Sequence, residues 1–179
     1  MQAGLQNSAL SKIVKKSVPL ILQKADVEGF PMNITTRGRY ALRASLALAK
    51  LGTNGKPVSI NNLSEEENIS SIFLEQIFFR LRKAGIVTSI RGPGGGFCFA
   101  KNLDELTVKQ ILEAAGENLE ITFCDKTSDN CEKIGQCLSH CVWLEVNQLV
   151  KNYFNNISLS SILEKYKHIT IDPESEKHG

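Results

Sequence analysis

Three cysteines and one histidine lie close together in the second half of the chain. They are Cys124, Cys131, Cys137 and His140, and they fall within 17 residues. Thiolates favour zinc, copper(I) or iron, and a neutral imidazole can fill a fourth position. Three cysteines in a polar segment do not fit the alternative of small buried apolar side chains. The spacing therefore indicates a site for a metal ion or an iron-sulfur cluster.

Two further cysteines, Cys98 and Cys141, bring the total to an odd five. The apolar run at 18–22 is too short for a secretion signal, and Pro19 interrupts it. No stretch of the sequence is long enough to span a membrane. We therefore expect a cytoplasmic protein without a membrane partner. In that reducing compartment, clustered cysteines are more often metal ligands or redox groups than disulfides.

An enzyme would use the same residues differently, with Cys137 as the nucleophile and His140 as the base. The sequence supplies neither an oxyanion element nor a substrate-pocket motif to support that chemistry. The glycine run at 92–96 also lacks the Lys-Ser/Thr pair and the following helix of a phosphate-binding loop. The prediction is that the protein is not an enzyme and takes no small-molecule substrate.

Charge is divided unevenly along the 179 residues, although the formal net charge is only +2. Residues 35–101 carry ten Lys and Arg against four Asp and Glu, a net charge of +6. Residues 102–179 carry seven against thirteen, a net charge of −6. A basic half beside an acidic half is typical of nucleic-acid binding confined to one region, and its plain alternative is two differently solvated surfaces.

The basic half has the pattern of a helix-turn-helix. Apolar and small residues recur at helical spacing from Arg39 to Gly52, and Ser59 can cap a short second helix. Either Ser70 or Ser71 can cap a third helix that ends at Gly85. The residues predicted on its buried face are Leu74, Ile77, Phe78 and Leu81.

The hydrophobic period then changes from that of a helix to that of a strand. Segments 86–90 and 97–100 read as two strands, and residues 91–96 form the turn between them. A two-stranded wing is therefore predicted after the third helix. The predicted fold class is mainly α with a small β wing, a winged helix-turn-helix domain followed by a long helix.

Four polar residues of the third helix point away from its apolar face, namely Glu75, Gln76, Arg80 and Lys83. Gln can pair with adenine, Glu can accept from cytosine, and Arg and Lys can neutralise phosphates. Arg91 begins the wing turn, where the glycines would allow close approach to a minor groove. These five residues are the predicted contacts to double-stranded DNA, although each taken alone also fits a solvated surface.

The acidic half is predicted to hold two more helices. One follows Thr107 and ends at Gly116, and residues 118–136 then form an irregular loop. A long amphipathic helix begins beyond Cys137, and its apolar stripe is typical of a helix-pairing surface in a homodimer. Packing of this stripe within the same chain is the alternative.

These patterns predict four segments. Residues 1–31 form an N-terminal extension, and residues 32–101 form the winged helix-turn-helix domain. Residues 102–164 carry the ligand loop and the dimerisation helices, and residues 165–179 form a flexible tail with Pro173 and charged neighbours.

The chain resembles the bacterial IscR-type winged-helix regulators over residues 32–157. The resemblance rests on Gly38-Arg39-Tyr40-Ala41, Leu74-Glu75-Gln76, Arg80-Leu81-Arg82-Lys83, Arg91-Gly92-Pro93-Gly94-Gly95-Gly96 and Cys137-Leu138-Ser139-His140. It implies a dimeric transcription factor that reads a DNA operator and senses iron-sulfur, redox or nitric oxide status. It also implies that Glu75 and Gln76 read bases, that Arg91 is the wing contact, and that Cys124, Cys131, Cys137 and His140 hold a 2Fe-2S cluster.

Several residues depart from this pattern. Six residues separate Cys124 from Cys131 where five are expected, and Ile72 and Phe79 stand where IscR-type proteins usually have polar residues. The related NsrR branch uses an acidic residue in the first helix to hold a 4Fe-4S cluster, but Arg39 stands at that place in this chain. His140 favours the 2Fe-2S cluster. A 4Fe-4S cluster, or a zinc-stabilised or cluster-free DNA-binding or interaction protein of the same fold, remains the alternative.

Overall fold

The computed structural model describes residues 34–122, 133 and 136–166. The predicted N-terminal extension, the ligands Cys124 and Cys131, and most of the predicted tail lie outside these residues. In the described part of the chain, no helix is both long and apolar enough to cross a membrane.

Three helices form the first half of the described chain. Helix α1 spans Thr36–Leu51, α2 spans Ile60–Glu67 and α3 spans Ser71–Lys83. The side chains of Thr35, Ser59 and Ser70 cap them, each by accepting a hydrogen bond from a backbone N–H in the first turn. The predicted cap at Ser59 is therefore confirmed, and Ser70 rather than Ser71 caps the third helix.

A two-stranded antiparallel wing follows α3. Strand β1 spans Val87–Ile90 and strand β2 spans Gly96–Phe99, with Thr88 paired to Cys98 and Ser89 paired to Phe97. The turn between α1 and α2 holds the wing in place, because Val58 and Phe97 exchange two backbone hydrogen bonds of 2.9 and 2.8 Å. This close approach needs a glycine next to Phe97, since a Cβ on Gly96 would lie 2.3 Å from the Val58 carbonyl oxygen.

The last three described helices are α4 over Val108–Ala115, α5 over His140–Asn155 and α6 over Leu159–Lys165. Thr107 and Gln110 form a capping box at the start of α4, as the Thr107 boundary predicts. Helix α6 was not predicted as a separate element. It is anchored beside α4 because Leu159 N–H donates to the Leu106 carbonyl at 2.9 Å, and Val108 N–H donates to the Ile157 carbonyl at 2.9 Å.

One continuous apolar core joins α1 to the wing and to α4. The four residues predicted on the buried face of α3 are all fully buried in this core, together with Ala41, Ala44 and Leu48 of α1. A second, smaller cluster of Val108, Leu112 and Leu119 packs against Phe154 and Ile157 at the end of α5. The predicted class, mainly helical with a small β wing, is confirmed.

Candidate nucleic-acid interface and metal ligands

Helix α3 buries one face and exposes the opposite face as a single stripe. The core holds Leu74, Ile77, Phe78 and Leu81, which fixes the rotation of the helix about its axis. All four polar residues predicted to meet DNA are exposed. The residues that together line one shallow groove along this stripe are Ile72, Glu75, Gln76, Phe79, Arg80 and Lys83. The structure therefore brings the four polar residues together on one surface, with two apolar residues among them.

Arg82 links this stripe to the wing. Its guanidinium carbon lies 5.9 Å from the centroid of the Phe79 ring, and its Nη1 donates a 3.4 Å hydrogen bond to Ser89 Oγ on β1. A cation over an aromatic face is stabilised by the ring quadrupole. The side chain is thus held between α3 and the wing, where its positive charge faces solvent.

Arg91 is the residue that follows β1, and it is exposed at the start of the wing turn. Gly92 and Gly94 have φ values of 105° and 75°, in the left-handed region that favours glycine. Gly95 N–H donates to the Gly92 carbonyl at 2.9 Å and closes the turn. A thin tip of this kind lets the backbone and the Arg91 guanidinium approach a nucleic-acid groove without steric obstruction by side chains.

Two of the four predicted metal ligands are described. Cys137 and His140 are both half-buried, and His140 is the first residue of α5. Cys124 and Cys131 lie outside the described residues, so the four-ligand set is not tested. Among the residues that the structure does describe, no group of three or more His, Cys, Asp or Glu side chains is placed to hold a metal ion.

The Cys137 thiol contacts Ser139 at the start of α5. Cys137 Sγ and Ser139 Oγ share a hydrogen bond of 3.2 Å. This side-chain hydrogen bond, followed by the backbone N–H of Ser139, lowers the pKa of Cys137 below its ordinary value. Ser139 occupies the N-cap position of α5, but its hydroxyl is hydrogen-bonded to the Cys137 thiol and makes no cap bond to the helix backbone. A thiolate is the form that binds metals, so this environment and the S/N donor types fit an iron-sulfur cluster or zinc.

Residues 117–122, which precede the predicted ligands Cys124 and Cys131, are hydrogen-bonded to α5. Asn147 is buried on α5, accepts a 2.8 Å hydrogen bond from Ile121 N–H and donates one of 3.1 Å to the Thr122 carbonyl. Lys151 forms a 2.6 Å ion pair with Glu120. Asn147 was not among the residues predicted from the sequence. Its only signal is a polar residue on the inner side of an amphipathic helix.

The same segment is tied to α1 at its other end. The buried Glu117 carboxylate accepts a 3.0 Å hydrogen bond from Thr35 N–H and a second, short one from Thr35 Oγ1. An acidic group at a helix N-terminus is favoured by the helix dipole. Gly38 makes room for this carboxylate, because a Cβ there would lie 2.6 Å from Glu117 Cγ. Sequence reasoning also missed Glu117, since its partner is far away in the chain.

The apolar stripe predicted on the long helix is divided between two environments. Ile157, which follows α5, packs into the second apolar cluster together with Phe154. Val142, Leu149 and Tyr153 are 51%, 67% and 60% exposed, and they recur along one side of α5. Packing within the chain therefore accounts for the end of the stripe. Val146 and Val150 are half-buried, and Val142, Leu149 and Tyr153 form an apolar surface on the described part of the molecule.

A family model described as an iron-dependent transcriptional regulator, Rrf2, matches residues 34–165. The chain belongs to the Rrf2 family. Its members are named as transcriptional regulators rather than enzymes, as predicted, and they bind DNA through the winged-helix fold seen in this structure. The predicted resemblance to IscR-type regulators is confirmed at the level of this family.

Several Rrf2 relatives cover most of this chain. IscR of Pectobacterium atrosepticum is 36% identical over 140 residues, which are 78% of this chain and 84% of that protein. A putative transcriptional regulator of Neisseria meningitidis is 40% identical over 134 residues, 75% of this chain and 89% of that protein. Among solved structures, CymR of B. subtilis matches with a TM-score of 0.61 at 26% identity, over 73% of this chain and 95% of that one. T. potens IscR matches with a TM-score of 0.60 at 26% identity, over 75% and 88% of the two chains.

Proposed function

We propose that this Rrf2-family regulator binds an operator as a homodimer and changes its DNA affinity with the state of a bound iron-sulfur cluster, most simply a 2Fe-2S cluster. The observation that carries the proposal is an exposed, basic surface on α3 in the same chain as Cys137 and His140, which lie together at the start of α5, where His140 N–H donates a 3.1 Å hydrogen bond to the Cys137 carbonyl. The relatives named IscR, and the iron-dependent description of the family, support the cluster. The protein works in the cytoplasm, where its operators lie.

In this proposal, α3 enters the major groove. Glu75 and Gln76 read base edges, because both are exposed in the N-terminal half of the helix, the part that contacts base edges in helix-turn-helix complexes. Arg80 and Lys83 contact phosphates from its C-terminal end. Arg91 reaches an adjacent minor groove from the wing tip. Two copies of this unit would read a pseudo-palindromic site.

Cys124, Cys131, Cys137 and His140 are the proposed cluster ligands. A bound cluster would supply redox and occupancy sensing. Residues 117–122, which precede Cys124, would transmit a change in the cluster to the rest of the chain. Glu117 hydrogen-bonds to Thr35 at the start of α1, and Asn147 of α5 hydrogen-bonds to Ile121. A change in the loop can therefore reach the N-terminus of α1, the helix that packs against α3.

Metal analysis of anaerobically purified protein tests the cluster. We expect iron and acid-labile sulfide in near-equal amounts, together with visible absorption. A Cys137→Ala variant should lose both, whereas Cys98→Ala and Cys141→Ala should retain them and serve as matched controls, because neither thiol belongs to the proposed ligand set. Zinc without sulfide in the unaltered protein would reject the cluster and leave a zinc-stabilised DNA-binding protein.

A further inference from the structure

The exposed stripe of α3 has an apolar centre. Ile72 is 70% exposed and Phe79 is 58% exposed. They lie seven residues apart, which places them about 20° apart around the helix axis and about 10 Å apart along it. Glu75 and Gln76 lie on either side of the line that joins them. Two of the outward-facing side chains of this stripe are therefore large and hydrophobic.

The core does not need either of these side chains. Four other residues of α3, including Leu74 and Phe78, are fully buried and fix the helix in place. An exposed isoleucine and phenylalanine leave apolar surface in contact with water, which a bound partner would remove. Ile72 and Phe79 share one groove with Glu75, Gln76 and Arg80. A partner that covers the groove must therefore also form hydrogen bonds or ion pairs with these polar side chains.

The basic residues around Phe79 favour DNA as that partner. Arg80, Arg82 and Lys83 lie in the last turn of α3, and all three are exposed. Arg82 stacks on one face of the Phe79 ring and bonds to Ser89, which leaves the other parts of the ring free and orients the side chain. Cationic side chains packed this densely are complementary to phosphates.

We infer that Ile72 and Phe79 each contact the 5-methyl group of a thymine in the operator. This inference rests on the proposed function, in which α3 occupies the major groove. The thymine methyl is the apolar feature of the major-groove base edges, and apolar side chains recognise it by direct contact. From the spacing of the two side chains, each half-site carries two thymines about two to three base pairs apart. These contacts add specificity to the polar readout by Glu75 and Gln76.

Replacement of thymine by deoxyuridine tests the inference, because it removes the methyl group and leaves the Watson–Crick pairing unchanged. An operator is first selected from random DNA duplexes with the full chain as purified under anaerobic conditions. Each thymine of a half-site is then replaced singly. We expect two positions at which the unaltered protein binds about three- to tenfold more weakly.

Two variants assign these positions. Ile72→Ser should abolish the effect of deoxyuridine at one position and Phe79→Ser at the other. Tyr166→Ser, which alters an exposed aromatic residue outside α3, is the matched control and should keep both effects. Such a result would show that each methyl is recognised by one side chain.

Three results would overturn the inference. The first is a selected operator whose binding is unaffected by deoxyuridine at every thymine, and the second is unchanged deoxyuridine sensitivity in both variants. The third is unchanged DNA binding by variants that have lost self-association in sedimentation, which would make the apolar centre a protein contact. Failure to enrich any sequence would overturn the proposed function as well, so the two failures are distinguishable.

Discussion

The proposed base-reading and phosphate-binding residues of α3 should differ in their effects on DNA affinity. Gln76→Ala is expected to reduce discrimination at one base pair by about 1–3 kcal/mol, because a bidentate contact to a base edge is lost. Lys83→Ala should weaken binding to all sequences alike and lower the slope of log affinity against log salt concentration by about one. Fluorescence anisotropy against the operator and single-base variants, at several salt concentrations, measures both. Equal loss on every sequence for Gln76→Ala would remove it from base reading.

Residue types alone predict much of this surface of α3. Glu75, Gln76, Arg80 and Lys83 could be assigned to the exposed face because the apolar residues on the opposite side have clear helical spacing. Ile72 and Phe79 are unusual in the sequence, but only the structure shows that they lie within the exposed stripe. The hydrogen bond between Ser139 and Cys137 could not be predicted, since it depends on a backbone turn before α5.

Short-range sequence patterns predicted most of the helices and strands, because a helix cap and a hydrophobic period both depend on residues that are close in the sequence. The cap of α2 at Ser59, the capping box at Thr107 and the glycine-rich wing tip all follow from adjacent residues. Helix α6 was missed because it is short and is held by backbone hydrogen bonds to residues 106–108. The role of Glu117 was also missed, because the residue that it hydrogen-bonds, Thr35 at the N-terminus of α1, is 82 residues away in the sequence.

Loss of the Glu117 carboxylate should destabilise the junction of α1 with the segment before the loop. Glu117→Ala removes two hydrogen bonds to Thr35 and an acidic group at the α1 N-terminus, so we expect a loss of about 1–3 kcal/mol in the free energy of unfolding. Urea denaturation followed by circular dichroism measures this loss. Glu113→Ala is the control, because Glu113 forms an exposed pair with Lys109 on one helix, and it should cost at most about 0.5 kcal/mol. Similar losses in the two variants would contradict the role of Glu117.

At the scale of the whole molecule, the proposed function depends on how two copies would present their recognition helices. One chain offers one α3 and one wing, whereas a pseudo-palindromic site needs two of each. The surface formed by Val142, Leu149 and Tyr153 on α5 is the proposed dimer contact, since it is the apolar part of the helix that the second cluster leaves uncovered. The stripe could be predicted from the sequence, but its division into buried and exposed parts could not, because that division depends on how Phe154 and Ile157 pack against Val108 and Leu112 of α4.

A charge in this surface should separate the dimer. Leu149→Asp would bury an uncompensated carboxylate at the interface, so we expect the dimer dissociation constant to rise at least about tenfold. Gln148→Asp adds the same charge at an exposed position beside the stripe and should leave the dimer intact. Analytical ultracentrifugation measures both. An unchanged dimer in Leu149→Asp would exclude this face.

The link between the cluster and DNA is tested most directly by one titration of the selected operator under anaerobic conditions. The protein is measured in its iron- and sulfide-loaded form and again after the metal has been removed by chelation. A change in operator affinity of at least about tenfold between the two forms is predicted, which corresponds to a coupling free energy of about 1.4 kcal/mol. Equal affinity of the two forms would contradict the account and would make the Cys/His site structural.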